Sequence, residues 1–154
     1  MEVDRALIGT TTAPVEFLIE RSAILRFVEA VGDPNPLFRD VEVARRAGHA
    51  DVLAPPSFPV TLVLPEVPVW LRSLDRKRIL AGEQSFRYAR PLVAGDRVVC
   101  RMTLKAVEDK TGRSGTLQLL HQEIHGTEPS GAPIFVHRRV TVYRGADSTI
   151  GAGR

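Results

Sequence analysis

The chain has 154 residues, 44% apolar and 25% charged, the proportions of an ordinary soluble globular protein long enough to bury one core without metal or disulfide. Its single cysteine, Cys100, excludes an internal disulfide, and a net charge of +3 with dispersed Lys and Arg gives no argument for nucleic acid. No stretch reaches the roughly 18 apolar residues that a membrane span requires.

Met1 to Thr12 carries Glu2 and Asp4 and no long apolar run, so it does not read as a signal peptide, and a cytoplasmic location is expected. Val15, Phe17 and Ile19 alternate as in a short strand. Ser22 is the expected N-cap of a helix whose apolar face is Ile24, Phe27, Val28 and Val31, with Gly32 as its stop. Gly32-Asp33-Pro34-Asn35-Pro36 is irregular, because each proline fixes its own φ and disfavours helix in the residue before it. Asp40 is placed to cap a second short helix through Ala47, ended by Gly48.

Val60 to Leu74 is strongly apolar but holds Pro65 and Pro68, so it is read as a buried central helix broken into pieces. Gln84, Phe86 and Tyr88 alternate, and Ala94-Gly95-Asp96 marks a tight turn. Val98, Cys100, Met102, Leu104 and Ala106 define one face of a long strand, and Asp109 to Gly112 reads as a turn. Thr116 to His125 is a strand, Glu128 to Gly131 a turn, and Ile134, Val136, Val140 and Val142 the last strand. Consecutive strands with short turns imply an antiparallel meander, whose apolar face only the Val60 to Leu74 segment is long enough to cover. The expected architecture is α+β: a hot-dog fold, an antiparallel sheet wrapped around a proline-broken hydrophobic helix. Residues 1–144 are taken as one domain and 145–154, with three glycines, as a flexible tail.

Four blocks resemble MaoC-like dehydratases and R-specific enoyl-thioester hydratases. Phe27 to Phe38, with Gly32-Asp33-Pro34-Asn35-Pro36-Leu37-Phe38 at its end, resembles the stretch that carries their active site, which runs Gly-Asp-x-Asn-Pro-(Ile/Leu)-His. Ala54-Pro55-Pro56-Ser57-Phe58 resembles the approach to the central helix in the N-terminal MaoC-like dehydratase subfamily. Arg90 to Asp96 resembles the turn before the long strand, and Arg113-Ser114-Gly115-Thr116 the start of the next.

The resemblance implies reversible hydration of a 2-enoyl thioester, in which an aspartate and a histidine share proton transfer through one water and a backbone N–H receives the enolate oxygen. Asp33 and Asn35 match. The histidine position is Phe38, which carries no proton, and Pro56 stands where a glycine N–H is usual. Ser57 still offers a hydroxyl or its own N–H.

The resemblance therefore points to the subunit of a heterodimeric (3R)-hydroxyacyl-thioester dehydratase that lacks the catalytic pair and binds the acyl chain, active as a hydro-lyase only with its partner. Asn35, Pro56, Ser57, Phe58, Leu62 and Trp70, with Val63, are the candidate substrate-binding residues, and the carrier is coenzyme A or acyl carrier protein. Core positions for Phe58 and Trp70 and a turn-capping role for Asp33 and Asn35 are the alternatives. A second reading is a self-sufficient homodimer in which His49 replaces the missing imidazole. A third is a non-enzymatic acyl-thioester binder or a thioesterase with Asp33 activating water. His121, Glu123 and His125 share a strand face, as exposed polar residues or as metal ligands. Arg87, Arg90, Arg138 and Arg139 are either ordinary surface residues or contacts for a phosphate or acidic carrier. No Gly-rich phosphate loop, Cys-x-x-Cys pair or serine elbow is present, and no cofactor or metal is expected.

Overall fold

Alternating apolar residues in the second half of the chain build three long strands, β3 (Arg97–Gly112), β4 (Gly115–Thr127) and β5 (Pro133–Arg144). The structure is a computed structural model and describes residues 2–112 and 115–145. The three strands pair antiparallel in sequence order, as the meander expectation required. Val98, Cys100, Met102 and Leu104 point into the core. A register shift between Leu104 and Ala106 then moves the inward position to Val107, so Ala106, expected on the buried face, is exposed. An extra residue in one strand reverses which side chains face inward.

Asp109 to Gly112, expected as a turn, is strand: the β3–β4 ladder continues to the pair Gly112 and Gly115. Asp109 is held there by Gln118 Nε2, 3.0 Å from its carboxylate, and by Arg5. Arg113 and Ser114, part of the fourth matched block, lie outside the described residues, as do residues 146–154 of the expected tail. The Glu128 to Gly131 turn forms as expected, with the Gly131 N–H donating to the Glu128 carbonyl at 2.9 Å.

Strand β2 (Ile79–Tyr88) does not pair with β3, which follows it. It pairs with β5, and the sheet order is β1-β3-β4-β5-β2, with β1 spanning Val15–Leu18. The meander therefore holds for β3 to β5 only. Residues 89–96 carry the chain from the β2 edge of the sheet across to β3, beside β1, and Gly95, at φ 95°, makes the turn, with its N–H donating to the Ile19 carbonyl at 2.8 Å.

Helix α1 (Arg21–Val31) buries Ile24 and Val28 completely. Its N-cap is Glu20 and not Ser22, because the Ala23 and Ile24 N–H groups both reach the Glu20 carbonyl. Gly32 ends it in the left-handed region, as expected. Helix α2 (Val41–Arg46) is capped by Asp40, which accepts from the Glu42 and Val43 N–H groups.

The apolar Val60 to Leu74 segment is interrupted, as its prolines required, and its helical pieces are 3-10 turns at Phe58–Thr61 and Val69–Leu71. Its burial is uneven. Trp70 and Leu74 enter the core; Leu62, Leu64 and Leu71 are half-buried against it; Val60, Val63, Val67 and Val69 are exposed. The expectation of a buried segment is thus met by a few anchors only.

The N-terminal segment supplies a part that alternation did not signal. Residues 9–12 run beside β3, with the Thr12 N–H 2.9 Å from the Met102 carbonyl. Val3 is buried, and its N–H donates to Gln118 Oε1 at 2.8 Å.

Gly126 on β4 faces the ring of buried Phe135, and a Cβ there would fall well inside van der Waals contact with it. Gly126→Ala is expected to destabilise the fold by about 1–3 kcal/mol, as overpacking does. Urea unfolding checks this; a loss below about 0.5 kcal/mol would show that the ring moves aside freely.

Candidate functional site

The Asp33 to Phe38 stretch begins at the left-handed Gly32. One Asp33 carboxylate oxygen accepts the Asn35 N–H at 2.9 Å, and Asn35 Oδ1 accepts the Leu37 N–H at 3.0 Å. These two successive caps produce the 3-10 turn Pro36–Phe38. Arg39 clamps the stretch from outside, donating through Nε to the Asp33 carbonyl at 2.8 Å. Asp33 and Asn35 are both half-buried, and both have the turn-forming role that was the alternative to a chemical one.

Phe38 turns inward at 9% exposure and joins the core. The side chain at the imidazole's place in the motif is thus a packed hydrocarbon. His49, proposed as a substitute, is half-buried, and its ring makes no hydrogen bond or ion pair among the described residues. The Asp33 carboxylate bonds to Asn35, and no Asp33–His49 pair forms.

The residues leading into the Pro55 to Phe58 passage are tied to this stretch. The Leu53 N–H donates to the Leu37 carbonyl at 3.0 Å, and the Ala54 N–H donates to Leu92 at 2.8 Å. Phe58 is buried and meets Phe27 of α1 edge to face, with centroids 5.6 Å apart. Pro56 and Ser57 are exposed. The Tyr88 hydroxyl donates to the Pro56 carbonyl at 2.8 Å and ties β2 to this passage, and burial pushes that phenol's pKa up. Phe38 and Phe58 both belong to the buried core, and the Leu37–Leu53 bond ties the Asn35 turn to the chain that leads into Pro55.

Trp70 stands elsewhere, almost fully buried, with its Nε1–H donating to Gln122 Oε1 at 3.1 Å. Gln122 in turn donates to Thr141 Oγ1 at 2.8 Å. Trp70 also borders a cavity of about 380 Å³ between residues 10–15 and Leu64 to Arg72, whose walls include Leu64, Val67 and Val69. Leu62 and Val63, grouped with Trp70 in the sequence, do not line it.

The arginines divide. Arg90 grips Asp96 through both Nη atoms at 2.8 and 3.1 Å and also holds Glu128, which makes it a structural clamp. Arg138 pairs with Glu123 at 2.7 Å. Glu123 also meets His125, while His121 meets Glu108, and no three-ligand metal cluster forms among the described residues. Cys100 is buried, and burial pushes its thiol pKa up to about 12, so it stays protonated.

His137 on β5 is buried, stacked on Phe86, and beside Arg139; burial and then that charge lower its pKa to about 4. The folded state holds it neutral, whereas the unfolded chain takes up a proton near pH 6.5. Its contribution to stability is thus full above pH 6.5 and lost as pH falls towards 4, by at most about 3 kcal/mol. The melting temperature is expected to fall over that window, and His137→Gln to flatten the fall. An unchanged slope in the variant would remove His137 as the cause.

The fold is the hot-dog fold of MaoC-like dehydratases. It superposes on a structure described as a MaoC-like dehydratase with a TM-score of 0.81 at 23% identity, covering 93% of this chain and 44% of that one. Against the C-terminally truncated HadBC (3R-hydroxyacyl-ACP dehydratase) complex of Mycobacterium tuberculosis the TM-score is 0.78 at 22% identity, over 92% of this chain and 99% of that one. Against the ChsH1–ChsH2 complex of the same organism it is 0.73 at 23% identity, over 94% of each.

Residues 6–137 match the family described as FAS1-like, dehydratase domain region, and the chain belongs to that family. A UPF0336 protein of Thermobifida fusca is 36% identical over 94% of this chain and 96% of its own length. A second, of Clavibacter michiganensis, is 36% identical over 88% and 91%. The chain is therefore a hot-dog protein of the hydratase/dehydratase kind. Among its described residues no helix is long and apolar enough to cross a membrane.

Proposed function

We propose that this chain is the acyl-chain-binding, non-catalytic subunit of a two-subunit (3R)-hydroxyacyl-thioester dehydratase or enoyl-thioester hydratase. The observation that carries the reading is Phe38, packed into the core where proton transfer would need an imidazole. The exposed Pro56, with no N–H to offer an enolate oxygen, weakens the same reaction at a second point. Support also comes from the two-protein complexes among the structures that share the fold.

In this reading residues 1–144 form one unit, the carrier is coenzyme A or acyl carrier protein, and the exposed valines face the partner. Asn35, Pro56, Ser57 and Phe58 border the mouth of the acyl site, Leu62 adds apolar surface beside Phe58, and Trp70 borders the separate cavity next to residues 10–15. Asp33 keeps the motif's turn without its chemistry.

The test is co-expression with a MaoC-like protein bearing the complete Gly-Asp-x-Asn-Pro-x-His stretch, followed by crotonyl-CoA hydration. The pair is expected to co-purify and to exceed either protein alone. A pair no more active or soluble than the catalytic protein alone removes the reading. Strong activity of the isolated chain, lost in His49→Ala, would establish the self-sufficient homodimer instead.

A further inference from the structure

Arg87, Arg90, Arg138 and Arg139 have different surroundings. Arg90 is engaged by Asp96 and Glu128. Arg139 stands opposite Gln84 on the inner face, two residues from His137, whose Nε2 lies 2.9 Å from Gln84 Oε1. Phe86 and buried His137 stack on that inner face, so Arg87 and Arg138, the next residue in each strand, point outward.

The strand register fixes what stands beside them. On the outer face one row across the sheet reads Arg87, Val136, His125, Arg101. The row beside it reads Ser85, Arg138, Glu123. Arg87, Arg138, Ser85, His125 and Glu123 border one cavity of about 240 Å³, with Val136 in its wall. Arg87 and Arg101 make no hydrogen bond or ion pair among the described residues, and the Ser85 hydroxyl makes no hydrogen bond there. Arg138 gives only its Nε to Glu123, at 2.7 Å, so its terminal nitrogens have no acceptor among the described residues.

Glu123 is the one carboxylate on this cavity, and it is already met by Arg138, by the His125 ring at 3.3 Å and by Lys105 at 3.9 Å. Arg87 and Arg101 remain as uncompensated charge, so the cavity is positive. A phosphate brings a multiple negative charge and up to three acceptor oxygens, enough for two guanidinium groups, a hydroxyl and an imidazole. Arginine forks match that geometry from two sides.

We infer that the outer-face cavity between Arg87 and Arg138 binds a phosphate group. Arg87 and the terminal nitrogens of Arg138 are its main donors, Ser85 and His125 stand beside them, and Arg101 adds charge. The phosphate belongs either to the nucleotide end of coenzyme A or to a phosphopantetheine arm, which share this chemistry. Arg87 adjoins Tyr88, whose hydroxyl bonds the Pro56 carbonyl, so successive residues of β2 serve the phosphate and the passage read above as the acyl mouth. The inference extends that reading to the carrier. Its test involves no turnover, so a failed binding assay and a failed co-expression assay are separate results.

The test is calorimetric titration of the full chain with coenzyme A, dephospho-coenzyme A and 4′-phosphopantetheine at fixed ionic strength, with the His125 ring resonances followed alongside. Coenzyme A is expected to bind saturably and to shift those resonances. Arg87→Gln and Arg138→Gln are each expected to weaken binding about fivefold or more. Lys77→Gln removes an equal charge from an exposed site that does not border the cavity, and is expected to leave binding unchanged. Arg87 has no partner in the fold, so its variant keeps the test open should Arg138→Gln disturb Glu123. Binding of dephospho-coenzyme A about fivefold or more below that of coenzyme A assigns the site to the ribose phosphate. Equal binding of all three assigns it to the phosphate of the pantetheine arm. The inference is overturned if coenzyme A does not bind, if its binding survives both arginine variants, or if Lys77→Gln loses as much as they do.

Discussion

Phe38→His is expected to raise the crotonyl-thioester hydration rate of the isolated protein by about 100-fold, the lower end of what a positioned proton-transfer group supplies. Asp33 already occupies the half-buried turn, with one carboxylate oxygen bonded to the Asn35 N–H and the other without a hydrogen bond among the described residues. The new imidazole would complete the pair. The lower end is expected because Pro56 still denies the enolate an N–H, and Phe38→His with Pro56→Gly should add about a further tenfold. Exchanging a buried ring for a polar one costs roughly 2 kcal/mol, so melting temperatures must be read beside the rates. A folded double variant as inactive as the parent would show that this turn cannot support the chemistry.

Trp70→Ala is expected to lose about 3–5 kcal/mol of folding stability, the cost of emptying a large core site. Trp70 is, with Leu74, one of two core anchors of a mostly exposed segment, and one end of the chain of bonds to Gln122 and Thr141. Trp70→Phe keeps most of the volume but leaves Gln122 Oε1 without its donor, for about 1–2 kcal/mol. Urea unfolding separates the two effects. A loss below about 1 kcal/mol in the alanine variant would mean that Trp70 serves the neighbouring cavity more than the core.

Much of the fold was legible because period-2 alternation is a local signal. It located β3, β4 and β5, while helical spacing, caps and glycine stops located the two helices. What it missed is non-local. The β2–β5 pairing joins strands separated by the whole β3–β4 hairpin, and nothing in the Gln84 to Tyr88 pattern names a partner. The continuation of β3 through Asp109 is held by Gln118 on the paired strand and by Arg5, 104 positions away. At the candidate site, Asp33, Asn35 and Phe38 were legible because they share one short motif. Gln84, His137 and Arg139 were not grouped, since neighbourhood across a sheet edge has no sequence spacing of its own. The available sign was a histidine and an arginine at alternate positions on a strand face that also carries Phe135, Thr141 and Tyr143.

The bond from Val3 to Gln118 joins residues 115 positions apart. During synthesis the segment around Val3 is made long before β4, so it waits undocked until Gln118 has emerged. Closing so long a loop carries a large entropic cost, which places it among the late steps of folding. A nascent chain stalled before Gln118 therefore presents the segment around Val3 to proteases, and docking of that segment reports that the second half of the sheet is in place.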